Sequence, residues 1–373
     1  MSLVSFIIPV FKVEKFLPCC LDSIQGQTMA DIEIVCINDA SPDQSKNIIE
    51  AYSRNDPRIK LLDLQKNRGK GYARNQGIKV ARSKYIRMVD PDDFIPIDST
   101  EKLLNTAIQY ESDFVRGGFW HCRQNGQKLR KGGRYPEKLL INGSFHKDKE
   151  LWFFDQHTTY LFKRDLIKKA GAQYDENMSN GQDVAFLLSL VPYMERVSLI
   201  PETVYFYRRN QKSVMNSHKN KQYYLNLFRL YEMEYEQLAA KGFQEQVDYF
   251  IFYHLSVILP KIVLPSIPDN LQRQASLDVL TNFKKIIDTY DIKKLCFSSQ
   301  YSWQKERTLP LLSKQIVLLL SENCIREAYE VLKEYGVSKK KIKAQKKKIR
   351  SLLDSTSWRI TAPLRQILKT FRK

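Results

Sequence analysis

The alternation of apolar strands and amphipathic helices over residues 4–89 constrains the fold more than any other feature of the sequence. The predicted strands and helices are, in chain order, 4–10, 14–27, 32–37, 43–53, 59–64, 71–81 and 85–89. The strands are almost continuously apolar, whereas the helices have apolar side chains at helical spacing. Nearly continuous apolar strands joined by helices are typical of a parallel sheet that is covered on both faces. We therefore predict a doubly wound, Rossmann-like α/β domain.

Acidic residues follow two of the predicted strands at the point where each strand ends. Asp39 follows the second strand, and Asp90, Asp92 and Asp93 follow the fourth. Ligands of doubly wound sheets bind beyond the carboxyl ends of the strands. Three carboxylates within four residues repel one another, and Mn²⁺ or Mg²⁺ held partly by substrate phosphates would offset that charge. Solvated Asp-Pro-Asp turns, Asx turns and helix caps use the same residue types, so both interpretations stay open.

A segment rich in glycine and positive charge precedes the third predicted helix. Gly69 and Gly71 alternate there with Arg68 and Lys70, and Arg74 follows one turn later. Backbone N–H groups at a helix start suit a diphosphate when cationic side chains accompany them. The glycine spacing differs from the dinucleotide-binding fingerprint, and the segment follows the third strand rather than the first. A glycine turn with solvated charges is the alternative.

A further acidic residue, Asp183, begins a helix predicted at 183–190. A carboxylate in this position would act as a general base if a substrate hydroxyl came within hydrogen-bonding reach. Alternatively, its charge stabilises the helix N-terminus, three residues after a capping Asn180. The sequence alone leaves both roles open.

Several classes of protein lack their required motifs in this chain. The five histidines form no H-E-x-x-H pair, and neither a Walker A loop nor a G-x-S-x-G elbow is present. The six cysteines form no C-x-x-C pair, which favours a reducing cytosol. We see neither a signal peptide nor an apolar run near the ~18 residues of a membrane span. We therefore expect a cytoplasmic protein.

The positive charge is concentrated at the C-terminus. Residues 338–373 contain thirteen Lys or Arg and one acidic residue, Asp354, so they carry +12 of the formal net charge of +19. Apolar residues such as Trp358 and Phe371 interleave with these charges, which favours peripheral attachment to the anionic inner face of the cytoplasmic membrane. A helix packed on another domain or subunit is the alternative. We predict an α/β domain at 1–219, an α-helical domain at 220–337 and this basic amphipathic tail.

Four segments resemble, in their order and spacing, the motifs of family-2 glycosyltransferases with the GT-A fold. These segments are residues 5–11, residues 37–43, residues 67–77 and Asp90-Pro91-Asp92. The last of them resembles the D-x-D motif of that family. The resemblance covers residues 1–120 and continues more weakly to about residue 210. It implies a GT-A nucleotide-diphospho-sugar transferase domain.

The resemblance implies a role for each matched residue. The residues implied to bind the nucleotide sugar are Pro9, Phe11 and Glu14 beside the base, Asp39 bonded to the base, Asn67, Gly69 and Arg74 at the diphosphate, and Asp90 at the ribose. Asp92 would ligate Mn²⁺ or Mg²⁺, and Asp183 would be the catalytic base. Gln182 stands where the family usually has Glu, and it lacks the negative charge that the family has at this position.

The function that the resemblance implies is metal-dependent, inverting transfer of a sugar from a nucleotide donor, most commonly a UDP-sugar. The acceptor would be a hydroxyl of a growing surface glycan, such as capsule or lipopolysaccharide O-antigen, free or lipid-linked. Residues 357–365 also resemble a tail found in bacterial enzymes of this kind. Association into a homo-oligomer stays open.

Two other functions would account for parts of this sequence. A sugar-nucleotide pyrophosphorylase would need a glycine-rich loop after the first strand, where this chain has Pro9-Val10-Phe11-Lys12. A nucleic-acid-binding protein would explain the net charge, but the charge lies in a tail and not on a recognisable module, so we expect no nucleic-acid partner.

Overall fold

A computed structural model describes residues 2–132, 135–152, 156–178, 181–209 and 236–246, together with the single positions 277, 280, 281, 284, 288 and 328. The chain divides into two compact units, Met1–Ile251 and Phe252–Lys373. The predicted helical domain and basic tail lie almost wholly outside the described residues, so they and their boundaries stay predictions. Among the described residues, no helix is both long and apolar enough to cross a membrane.

The N-terminal half of the first unit alternates strands and helices as predicted. Its elements are β1 (Val4–Val10), α1 (Leu17–Gln25), β2 (Ile32–Asn38), α2 (Ser45–Asn55), β3 (Ile59–Asp63), α3 (Lys70–Val80), β4 (Tyr85–Met88) and α4 (Ser99–Gln109). The first two strands are buried along their whole length, which explains their nearly continuous apolar sequence.

The second half of this unit adds β5 (Phe114–Cys122), β6 (Lys128–Lys131), β7 (Leu140–Gly143), β8 (Tyr160–Lys163), α5 (Arg164–Ala170), α6 (Gln182–Leu190) and β9 (Val197–Arg208). In the described part of the chain, one sheet has the order β3-β2-β1-β4-β8-β5-β9-β7, and β6 pairs with β5. β1 to β4 are parallel to their neighbours within that group, whereas β8 is antiparallel to both β4 and β5. The sheet is therefore mixed.

The parallel arrangement predicted for residues 4–89 therefore does not continue beyond β4. β8 has only four residues and lies in an aromatic stretch without clear alternation, so its sequence does not reveal a strand. In β9, the sequence pattern indicates a strand only at 204–207, because Pro201, an exposed residue within the strand, is typical of a break. The pairing of β5 with β9 shifts register near Gly118, opposite that interruption.

Two contacts fix the elements that carry the site. A Cβ on Gly77 would lie 2.5 Å from Cγ2 of Ile7 and 2.7 Å from Cδ1 of Ile37, so α3 packs directly on β1 and β2. The buried Arg87 guanidinium donates to the hydroxyls of Ser99 and Thr100 at 3.0 and 2.7 Å, and so ties β4 to α4. Strand β1 lies between β2 and β4, which is the switch point where such sheets bind ligands.

Candidate active site

The loops that leave β1 and β2 are tied together at the carboxyl edge of the sheet. The Glu14 carboxylate accepts a 2.8 Å bond from the backbone N–H of Gln44, and Asp43 accepts one of 3.0 Å from the N–H of Glu14. Glu14 therefore satisfies a donor at the start of α2. Pro9 is buried within β1, whereas Phe11 is 38% exposed just beyond that strand. An exposed aromatic ring at this edge is available to stack on a base, and the base contacts of these residues stay predictions.

Asp39 is almost fully buried and organises the loop before α3. Its two carboxylate oxygens accept the backbone N–H groups of Arg68 and Gly69, each at 2.8 Å, and Asn67 donates to its main-chain carbonyl at 3.2 Å. Gly69 has φ 88°, a value that favours glycine. Asp39 is thus neither a simple Asx turn nor a cap of its own helix. A carboxylate has about four acceptor positions, so a bond to a base stays compatible with this geometry.

The acidic residues after β4 separate into two groups. Asp93 points inward, is 1% exposed and accepts 2.7 Å bonds from the Tyr205 hydroxyl and the backbone N–H of Arg208. The Tyr205 hydroxyl also accepts the backbone N–H of Asp90 at 3.1 Å. Burial, with the charges of Asp92 and Asp90, raises the pKa of Asp93 well above its usual range. Asp93 therefore connects the turn after β4 to β9, and its carboxylate is too enclosed to contact a substrate.

Asp90 pairs with a buried arginine of α3. Nη2 of Arg74 lies 2.6 Å from Oδ1 of Asp90, and the Arg74 side chain is 3% exposed. Loss of solvent acts to raise the pKa of Asp90, but the surrounding positive charges, led by that of Arg74, together with the Arg74 hydrogen bond outweigh it and lower that pKa. Asp90 is therefore ionised in this site. The charge of Arg74 also interacts with that of Asp183. Arg74 therefore connects the turn after β4, which carries Asp90, with the start of α6, which carries Asp183.

Asp92 is the acidic side chain that best fits a cation. Burial and the neighbouring Asp90 charge raise the pKa of Asp92 to about 6, and no ion pair joins it to another described residue. A divalent cation would relieve this repulsion between carboxylates. Within the described ranges, no three His, Cys, Asp or Glu side chains are grouped closely enough to hold a metal by themselves. The donor set thus fits a hard cation that takes most of its ligands from substrate and water.

Asp183 lies in the first turn of α6. The N-cap of that helix is Gly181, with φ 83°, and no side chain caps the helix. The Asp183 side chain is 33% exposed, and its Oδ2 lies 4.0 Å from Nδ1 of His157. Its carboxylate is therefore not used as a cap, which leaves it accessible to a substrate hydroxyl.

Comparison with known proteins decides the family. Residues 5–171 match the family described as Glycosyl transferase family 2. The uncharacterized glycosyltransferase EpsJ of Bacillus subtilis strain 168 is 34% identical over 236 residues, which span 59% of this chain and 67% of EpsJ. This chain belongs to glycosyltransferase family 2. The poly(ribitol-phosphate) beta-glucosyltransferase of Bacillus spizizenii is 27% identical over 210 residues, 55% of this chain and 32% of that protein.

Solved structures share the fold of this glycosyltransferase. S. aureus TarS 1–349 in complex with UDP has a TM-score of 0.66 at 18% identity, with 91% of this chain and 92% of that chain covered. Mannosyltransferase PcManGT from Pyrobaculum calidifontis, in complex with GDP-Man and Mn²⁺, has a TM-score of 0.50 at 13% identity, with 90% and 86% covered. At these identities the likeness concerns the fold alone, and it confirms the predicted GT-A fold.

The glutamine that replaces the usual family glutamate has a structural reason in this glycosyltransferase. Nε2 of the buried Gln182 donates to the backbone carbonyl of Asp175 at 2.9 Å and also to that of Met178. A carboxylate would face two carbonyl oxygens there and could not donate. A Cβ on Gly71 would lie 2.6 Å from the same Nε2, so glycine allows α3 to approach this turn.

Three residues of this site were not among the predicted site residues. Asn75 exchanges hydrogen bonds with the backbone of Tyr174, donating at 2.9 Å and accepting at 2.8 Å, and so joins α3 to the segment before α6. Asn75 lies in the matched segment 67–77, and this membership is the sequence signal that could have revealed it. The centroid of the Tyr174 ring lies 5.2 Å from Cζ of Arg74 and 5.6 Å from the centroid of the His157 ring. No sequence pattern distinguishes His157 from the other scattered histidines.

Proposed function

We propose that this glycosyltransferase moves a sugar from a UDP-linked donor to a hydroxyl of a bacterial surface glycan, with inversion at the anomeric carbon. The observation that carries the proposal is that an accessible Asp183, which caps no helix, interacts through its charge with the buried Arg74 that forms an ion pair with Asp90. A UDP donor is supported by TarS, which binds UDP in a similar fold. A cell-surface acceptor is supported by the related poly(ribitol-phosphate) beta-glucosyltransferase.

In the proposed reaction, Asp183 takes the proton of the acceptor hydroxyl as that oxygen attacks the anomeric carbon. The bond from this carbon to the diphosphate oxygen breaks on the opposite face, and UDP leaves with the bonding electrons. Positive charge develops on the sugar, as in glycoside hydrolysis. A base opposite the leaving group gives a β-linked product from an α-linked donor.

The departing UDP carries negative charge on its diphosphate, and cationic side chains of α3 can stabilise that charge. Lys70 and Arg74 lie one turn apart on α3, and the charges of both act on the Asp90 carboxylate, so they supply cationic charge beside the implied diphosphate position. Asp92 would hold Mn²⁺ or Mg²⁺, which supplies further positive charge to the departing diphosphate when bound. The Mn²⁺ in the PcManGT complex supports this assignment.

The test is Asp183→Asn, assayed for sugar transfer and, by isothermal titration, for UDP binding with Mn²⁺. We expect transfer to fall by about 10²–10⁴-fold while UDP affinity is retained. Asp165→Asn is the matched control, because Asp165 is an exposed aspartate in the first turn of α5. Transfer that survives Asp183→Asn, or UDP binding lost with it, would contradict the proposed base.

A further inference from the structure

Several buried polar atoms without hydrogen-bond partners belong to the side chains grouped around Asp183. Within the described part of the chain, they include Nε of Arg74, both ring nitrogens of His157, the Tyr174 hydroxyl and Oε1 of Gln182. Each buried donor or acceptor that stays unpaired costs free energy, and native proteins contain few of them. Several in one contiguous group indicate a site that exchanges hydrogen bonds with bound groups.

His157 is the member of this group nearest to the implied base. It lies in a short 3₁₀ turn directly before β8 and is 3% exposed. Its ring meets the Tyr174 ring edge-on, and its Nδ1 lies 4.0 Å from Oδ2 of Asp183. The imidazole is thus held in place by packing, one small movement away from hydrogen-bonding distance to the carboxylate.

The imidazole is neutral in this position. Burial lowers the pKa of His157 well below its usual range, and the charge of Arg74 acts in the same direction. A neutral imidazole has one N–H donor and one acceptor nitrogen. The nearby carboxylate accepts only, so the arrangement favours the tautomer with the proton on Nδ1.

We propose that His157 is a positioning residue for Asp183. The Nδ1–H group donates to Oδ2 of Asp183 in the substrate complex and fixes the direction in which the other carboxylate oxygen faces the acceptor hydroxyl. His157 itself exchanges no proton with substrate. The proposal rests on the proposed function, since it assigns to His157 a role that acts only through the base.

The experiment compares three substitutions of His157. His157→Phe keeps an aromatic ring against Tyr174 but removes both nitrogens. His157→Asn places an amide N–H close to the position of Nδ1, whereas His157→Gln extends its amide toward the position of Nε2. We expect kcat to fall about 10–100-fold in His157→Phe and His157→Gln, and to be largely restored in His157→Asn. KM for the donor and UDP affinity should change little, because the base does not hold the nucleotide.

Two outcomes would overturn the proposal. The first is a kcat for His157→Phe within about twofold of wild type, and the second is equal kcat values for His157→Asn and His157→Gln. The second comparison is between two amides and stays informative if His157→Phe fails to fold. Wild type and Asp183→Asn are assayed alongside, so a wrong base assignment is recognised by an active Asp183→Asn, independently of His157.

Discussion

At the scale of single residues, Asp92 and Asp93 are neighbours with opposite surroundings. The Asp93 carboxylate is enclosed and accepts two bonds from β9, whereas Asp92 pairs with no cation among the described residues. The two carboxylates are adjacent in the chain, so their position in the sequence does not separate their roles. Their exposure does, because Asp93 is fully buried and Asp92 is partly exposed. One should contribute to folding and the other to metal binding.

We predict that Asp93→Ala lowers stability and that Asp92→Ala does not. The first change leaves the Tyr205 hydroxyl and the Arg208 N–H without an acceptor in a buried place, at a cost of about 1–3 kcal/mol for each group. The second removes a charge that repels Asp90, so Tm should stay level or rise, while Mn²⁺-dependent UDP binding is lost. Thermal melts and titration of UDP with Mn²⁺ or EDTA measure both effects. Equal Tm losses in the two variants would show that the division of roles is wrong.

Gln182 allows a prediction that depends on pH. In Gln182→Glu, the new carboxyl faces the carbonyls of Asp175 and Met178. Burial against two carbonyl oxygens disfavours the charged form, so the folded-state pKa of this carboxyl lies above its ordinary value of about 4.3. The neutral form can donate one bond and the charged form none, so the stability present below about pH 4.3 is lost as pH rises through the higher folded-state pKa. The free energy of unfolding should therefore fall behind that of wild type as pH rises from 4 to 7, by about 1–3 kcal/mol.

The control for this prediction is Gln127→Glu, because Gln127 lies in an exposed turn between β5 and β6. Its unfolding curve should follow that of wild type at every pH. A Gln182→Glu protein that is as stable as wild type at pH 7 would mean that the amide bonds to the two carbonyls contribute little.

At the scale of elements, α3 joins the two sides of the site. Its Arg74 reaches Asp90 after β4, and its Asn75 bonds the backbone of Tyr174 before α6. A single turn of helix thus sets the position of Asp183 relative to the implied diphosphate site. Catalysis by positioned groups is sensitive to displacements of about 1 Å.

We predict that Asn75→Ala lowers kcat more than it changes UDP affinity, because it releases the segment before α6 but leaves Arg74 in place. A loss on the order of 10-fold or more is expected, measured by steady-state transfer and by UDP titration. Asn47→Ala is the control, since Asn47 is an exposed asparagine of α2. A rise in the UDP dissociation constant with unchanged kcat would contradict this account of α3.

Elements that are long and have a regular apolar pattern could be predicted from the sequence, whereas short or interrupted elements could not. β1 to β4 and the three helices between them were predicted because buried parallel strands and amphipathic helices leave distinct patterns. β8 is too short to leave one, and β9 is interrupted by Pro201. The acidic residues after β2 and β4 could be predicted to share one edge of the sheet because parallel strands bring their carboxyl ends together. His157 and the Tyr174 contact were missed because they depend on tertiary packing between distant segments.

At the scale of the whole molecule, the formal charge is distributed unevenly along the chain. Residues 338–373 carry +12, whereas the rest of the chain is only mildly basic. Lys and Arg near an anionic membrane surface contribute about 1 kcal/mol each, and salt screens the attraction. A tail of this composition would bring a transferase to a membrane where lipid-linked acceptors are found, so we propose that this protein binds the inner membrane surface peripherally.

Removing residues 338–373 should therefore abolish binding to vesicles that contain anionic lipid, while leaving sugar transfer to a water-soluble acceptor unchanged. Co-sedimentation of the full chain should weaken as salt rises and should be absent with neutral vesicles, because attraction between opposite charges drives it. DNA added as a competitor separates the alternative: salt-dependent DNA affinity that survives the deletion would favour a nucleic-acid site elsewhere in the chain. Vesicle binding that is unaffected by the deletion would exclude the tail as the membrane-binding element and leave residues 220–337, the predicted helical domain, as the next segment to test.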